Sequence, residues 1–237
     1  MAVWLMVMAL ASHDLGRTLE NLTLDLCCRL RPVSAPPREV LIVGIDTASF
    51  RNLGQAWPWP RRHHARLIER LTEAGAAIIV FDVFFGEPST DEDDRLLFKA
   101  IKKSGKVILS RVIEEVRDPL FSRQIVLHPL EELCAAACGL GVSLVNPDPD
   151  GVVRRFYLSL AGHKTLAEEV VRILKPELAF PPEFSGLIRY LGPPGQVETY
   201  SYHEVLEWEG DLPRESIQNR IVLVGRVIEN TPLSQGQ

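Results

Sequence analysis

The chain has 237 residues, 46% of them hydrophobic, which is ample for a buried core in one large domain or two small ones. A net charge of -5 supplies no basic field, which argues against nucleic acid as a partner. Cys27, Cys28, Cys134 and Cys138 form neither a disulfide-dense framework nor the paired CxxC spacing of a zinc site, so the redox compartment stays open.

The first residues, MAVWLMVMALA, are an apolar run without a charge, shorter than the roughly 20 residues of a spanning helix and without the basic start of a signal peptide. Two readings stand: the outer end of a transmembrane helix cut at Met1, or a buried amino-terminal helix. Leu15, Leu19, Leu22, Leu26 and Leu30 then recur at helical spacing until Pro32, which predicts a membrane-proximal amphipathic helix within residues 1–31. Its leucine stripe either packs on this domain or pairs with a second copy as a homodimer. A proline-rich connector leads to VLIVGID, a strand buried on both faces and closed by Asp46. From about Pro60 a helix presents Leu67, Ile68, Leu71 and Ala74 on one face and stops at Gly75, and AAIIVFDVFF follows as a second buried strand. Thr90 and Asp93 make a capping box for a third helix, which ends with Lys102, Lys103 and Gly105 before the strand KVILSRV.

Strands alternating with helices in this way predict a parallel sheet with right-handed crossovers. Farther on, LEELCAAAC reads as a short helix, and the segments flanking NPDPDG read as the two strands of a β-hairpin in the second half. Thr165 with Glu168 caps another helix, LIRYLG is a short strand, and RIVLVG is a last buried strand. The expected fold class is α/β: one domain over residues 38–228 with a mainly parallel twisted sheet and flanking helices, followed by a tail at 229–237.

Asp46 and Asp82 both fall at carboxyl ends of strands joined by one crossover helix. If those strands are neighbours, about 4.8 Å apart, the two carboxylates share the crevice where open α/β sheets bind ligands. A metal ion, or Arg61 from the loop after Asp46, would relieve their repulsion. The alternative is that each Asp bonds backbone N–H groups in its own turn. STDEDD has the carboxylates of a helix start rather than the alternating ligands of a calcium loop, and NPDPDG is a turn. His63 and His64 point about 100° apart on a helix, which disfavours zinc, and His128, His163 and His203 lack companions at ligand spacing. No nucleophile elbow, phosphate loop or HExxH is present. No catalytic residue and no cofactor is assigned, and Asp46 with Asp82 is the only candidate metal pair.

In order, LENLTLDLCCRLRP, the run from VLIVGID through WPWPRRHHARLIERL to IIVFDVFF, DEDDRLLFKAIKKSGKVIL, DPDGVVRRFYL and RIVLVG resemble the CHASE type 2 domain, a cyclase and histidine-kinase associated sensory extracellular domain. WPWPR and the helix after it carry the resemblance most specifically. Asp25, Arg29, Asp46, Pro58, Trp59, Pro60, Arg61, Asp82, Asp150, Gly151 and Arg154 stand at positions of the family pattern. The resemblance implies a bacterial sensory module outside the cell membrane, tied to it by the amino-terminal helix, receiving an unknown small-molecule or envelope signal for a cyclase, diguanylate cyclase, histidine kinase or serine/threonine kinase that is not in this chain. Asp46, Trp59, Arg61, Asp82 and Arg154 are its candidate ligand-binding residues. A metal-assisted hydrolase built on Asp46 and Asp82, or a module that binds another envelope protein, are the competing expectations.

Overall fold

The computed structural model describes residues 14–227 apart from 119–120, 144, 179, 182 and 211. The expected membrane segment and the tail at 229–237 lie outside the described residues. Two compact units are present. The smaller joins the helix α1 (Asp14–Leu30) and the residues after it to Ile188–Gln196. There the Ser34 N–H donates to the Leu191 carbonyl at 2.8 Å and Val33 packs on Gly192. Within this unit Leu19, Leu22, Leu26 and Leu30 are exposed. Among the described residues no helix is long and apolar enough to cross a membrane.

The larger unit is a mixed α/β domain. Its elements are β1 (Val40–Ile45), α2 (Thr47–Leu53), α3 (Arg61–Glu73), β2 (Ile78–Phe81), α4 (Asp91–Ser104), β3 (Val107–Asp118), β4 (Phe121–Leu127), α5 (Glu131–Ala136) and β5 (Gly139–Val142). After these come β6 (Arg155–Tyr157), β7 (Ser159–Leu160), β8 (His163–Lys164), α6 (Leu166–Leu174), β9 (Ser185–Leu187), β10 (Thr199–Ser201), α7 (Tyr202–Glu207), α8 (Arg214–Ile217) and β11 (Ile221–Arg226). The central sheet runs β10-β1-β11-β2-β3, with β5 parallel and β4 antiparallel to β3.

Alternation along the buried strands builds two cores. Ile79 and Phe81, with Leu41, Val43, Leu109, Val222 and Val224, meet α3, α4 and α7 through Leu67, Ile68, Leu71, Leu97, Ile101, Val205 and Leu206. Ile78, Val80 and Ile108 point the other way and meet Val170 of α6. Each fully buried Leu or Ile contributes roughly 1.5–3 kcal/mol. The helix starts are those the sequence announces: Thr90 accepts from the Asp93 N–H, Thr165 accepts from the Glu168 N–H, and Pro60 precedes α3. Because α6 covers only part of the second face, an apolar groove of about 530 Å³ remains there, lined by Val40, Ile42, Val80, Leu166, Val170 and Leu223 among others.

The structure corrects two expectations of topology. The strands flanking NPDPDG do not pair with each other: β5 joins β3 in parallel and β6 joins β9. The hairpin of the second half is β7-β8 instead, around the turn at Ala161 and Gly162. The larger correction is that β11 lies between β1 and β2, parallel to both. A local pattern announces a strand but carries no information about its neighbours.

Gly141 of β5 is set so close to the start of α6 that a Cβ would lie 2.6 Å from the Leu166 backbone. Gly141→Ala is expected to cost about 1–3 kcal/mol through backbone displacement. Urea unfolding should show a lower midpoint with an unchanged slope.

Candidate functional site

At the carboxyl end of β1, Asp46 caps α2. Its Oδ1 accepts from the Ser49 N–H at 2.7 Å and the Ser49 hydroxyl at 2.6 Å, and its Oδ2 accepts from the Ser201 hydroxyl at the end of β10. Burial pushes this carboxyl up, but the Ser201 and Ser49 hydroxyls, the Ser49 N–H and nearby His203 outweigh it and hold the pKa below its ordinary value. His203 Nδ1 is 3.4 Å from Ser49 Oγ, and its Nε2 is 3.0 Å from Asn52 Nδ2. An Asp, a Ser and a His thus meet without forming a hydrolytic triad. The single Ser49 proton is directed at Asp46, so the imidazole is not placed to receive it.

Asp82 sits in a different setting. It follows β2, is exposed, and lines one end of the apolar groove beside Gly225. With β11 in between, the ends of β1 and β2 are two strand spacings apart, roughly 9–10 Å, rather than neighbours. The shared crevice expected for Asp46 and Asp82 is therefore not formed, and the alternative of an Asp satisfied in its own turn describes Asp46. Among the described residues no group of three or more His, Cys, Asp or Glu is placed to hold a metal ion.

Arg61 is buried, but not between the two aspartates. Its Nη1 donates to Asp94 Oδ1 at 2.5 Å, its Nη2 donates to the Glu87 carbonyl, and its guanidinium lies 5.5 Å from the Phe85 ring centre. It ties the entrance of α3 to the start of α4. The first helical turn of α4 supplies the carboxylate, and a buried guanidinium is stable only when so matched.

Trp59 is also internal. It is 2% exposed, packs on Phe50 and Tyr202 at centroid distances of 5.0 and 4.9 Å, and donates to the Gln55 carbonyl. Trp57 is the exposed partner. His64, buried among Phe81, Phe85 and Tyr202, hydrogen-bonds the Tyr202 hydroxyl at 2.8 Å, whereas His63 turns to Gln55. Burial lowers the His64 pKa to about 3, with smaller contributions from His63 and Arg61. Arg154 is buried too, and it clamps the NPDPDG loop by donating to Asp148 and to both oxygens of Asp150. The Arg154 hydrogen bonds, with one from the Val152 N–H, lower the Asp150 pKa to about 2.

The structure also joins residues that sequence spacing left apart. His128 and His163 stand with ring centroids 6.4 Å apart beside Arg111. No local signal connects them, since three different strands carry or adjoin them.

The fold is that of an α/β domain with a parallel sheet whose strand-end polar residues serve mainly as caps and clamps rather than as a catalytic constellation. The CHASE2 domain model matches residues 2–232, nearly the whole chain, so this protein belongs to the CHASE2 family of sensory extracellular domains of signalling receptors. No curated protein and no solved structure matches the chain.

Two titrations follow from this geometry. Asp46→Ala removes a helix cap and is expected to cost about 0.5–2 kcal/mol at pH 7. Because the folded pKa lies below the unfolded one, this contribution is complete above the unfolded value of 3.8 and is lost as pH falls through the folded value. The difference in urea midpoint between wild type and variant should stay constant from neutral pH to about pH 5 and shrink below about pH 4. For His64 the unfolded ring takes up a proton below pH 6.5 that the folded ring refuses until about pH 3. Stability should therefore fall on acidification across that window, by up to roughly 1.4 kcal/mol per pH unit from this group. His64→Gln should flatten the curve there, whatever it costs at pH 7.

Proposed function

We propose that this domain is the signal-input part of a bacterial transmembrane receptor, held on the extracytoplasmic side of the cell membrane and controlling a cyclase or kinase output. The match to a sensory family over residues 2–232 carries the reading. The amphipathic helix α1, next to the apolar amino-terminal run, supports a connection to the membrane. A signal acts on such a domain only if it binds two arrangements with different affinity, so the receptor needs a ligand or a partner that favours one of them.

A second reading, binding of another envelope protein, draws support from the apolar groove on the sheet face, because the strand-end edge at Asp46 is filled by its own hydrogen bonds. The metal-assisted hydrolase reading draws no support from Asp46 and Asp82, which β11 separates.

Location is tested by fusing reporters behind Arg226 in the receptor. An exported alkaline phosphatase should be active there and a fluorescent protein that matures only in the cytoplasm should be dark. The reverse pattern would overturn the extracytoplasmic assignment.

A further inference from the structure

Arg111 is the point at which β3 leaves the parallel sheet. It is the last residue paired with β5, opposite Val142, and the next residue, Val112, already pairs with Leu127 of β4. His128 follows Leu127 directly and so comes level with Arg111 on one side. Val142 also bridges to Thr165, which brings β8 and its His163 to the same place. Arg111 Nη1 is 3.5 Å from His163 Nδ1, and the two imidazoles face each other edge to face.

Among the described residues no carboxylate stands at ion-pair distance from this arrangement's guanidinium. Arg61, Arg154, Arg172 and Arg220 each meet a carboxylate at 2.5–2.7 Å. Arg111 meets none among the described residues, and its Nε is buried without a hydrogen-bond partner. Cys134 does not supply the missing charge: burial raises its thiol pKa by more than Arg111 lowers it, and its Sγ donates to the Pro129 carbonyl. For His128, burial and then Arg111 and His163 all favour the neutral ring. A half-buried guanidinium beside two imidazoles is costly unless an anion joins it.

We propose that Arg111, His128 and His163 form a binding site for a small oxyanion, the carboxylate or phosphate group of a soluble molecule. The guanidinium supplies the planar fork that matches either group, and each imidazole supplies an N–H. With Nδ1 of His163 accepting from Arg111, its ring proton lies on Nε2, available to a ligand. The site is at the carboxyl ends of parallel strands, where open α/β sheets take ligands. It stands on these three side chains and does not rest on the receptor reading, so its failure would leave that reading intact.

Isothermal titration of the full 237-residue chain with inorganic phosphate and, separately, with succinate tests it, with chloride at matched ionic strength as the control. Saturable binding of at least one probe is expected, weakened tenfold or more by Arg111→Gln and by His163→Ala and unchanged by Arg155→Gln on exposed β6. The arm that binds more tightly names the phosphate or the carboxylate class. If Arg111→Gln fails to fold, His128→Ala and His163→Ala carry the same expectation. Absence of saturable binding with both probes, or binding that survives these substitutions, overturns the proposal.

Discussion

The insertion of β11 between β1 and β2 is the constraint on which the rest of the domain depends. Six residues, Ile221 to Arg226, hydrogen-bond to β1 along their whole length and to β2 over four of them. Val222 and Val224 of this strand belong to the core under α3 and α4, so that core is complete only with β11 in place. It also decides the chemistry of the strand-end edge. Asp46 and Asp82 are separated by a strand, Gly225 sits against Asp82, and Leu223 faces the groove beside Val40 and Ile42.

Polar residues near that edge divide by what they satisfy. Asp46 satisfies the start of α2 and the end of β10, Arg61 joins α3 to α4, and Arg154 closes its own loop. Each is matched within hydrogen-bond distance by groups of the same domain, and removal of one partner would leave a buried charge exposed to a low-dielectric interior. Arg111 is half-buried and meets no carboxylate among the described residues; where the half-buried Arg70 and Lys106 donate to backbone carbonyls, Arg111 leans on His163. An oxyanion at the Nη edge of the guanidinium would supply the missing charge to Arg111 and the two imidazoles together.

The WPWPRRHH stretch shows how a conspicuous motif can be structural. Its prolines set the entrance of α3, Trp59 and His64 enter an aromatic cluster with Phe50, Phe81, Phe85 and Tyr202, and Arg61 fastens the adjoining helix. The arrangement couples the loop between α2 and α3, and the start of α3, to α7, because Tyr202 of α7 touches both Trp59 and His64. A signal that shifted either element would be felt by the other, since packed aromatic clusters rearrange in discrete steps rather than deform smoothly.

Much of the local structure was legible in the sequence. The apolar faces of α3 and α4, the caps at Thr90 and Thr165, the buried strands at β1, β2 and β11 and the family resemblance all follow from residues near one another in the chain, because periodicity and capping act over one or two turns. Strand order, the partner of Arg61, the burial of Trp59 and the meeting of Arg111 with His128 and His163 were decided only by the tertiary structure. Each depends on which distant segments share a backbone ladder, and hydrogen-bonded strands of similar apolar pattern can be ordered in many ways that the sequence alone does not distinguish.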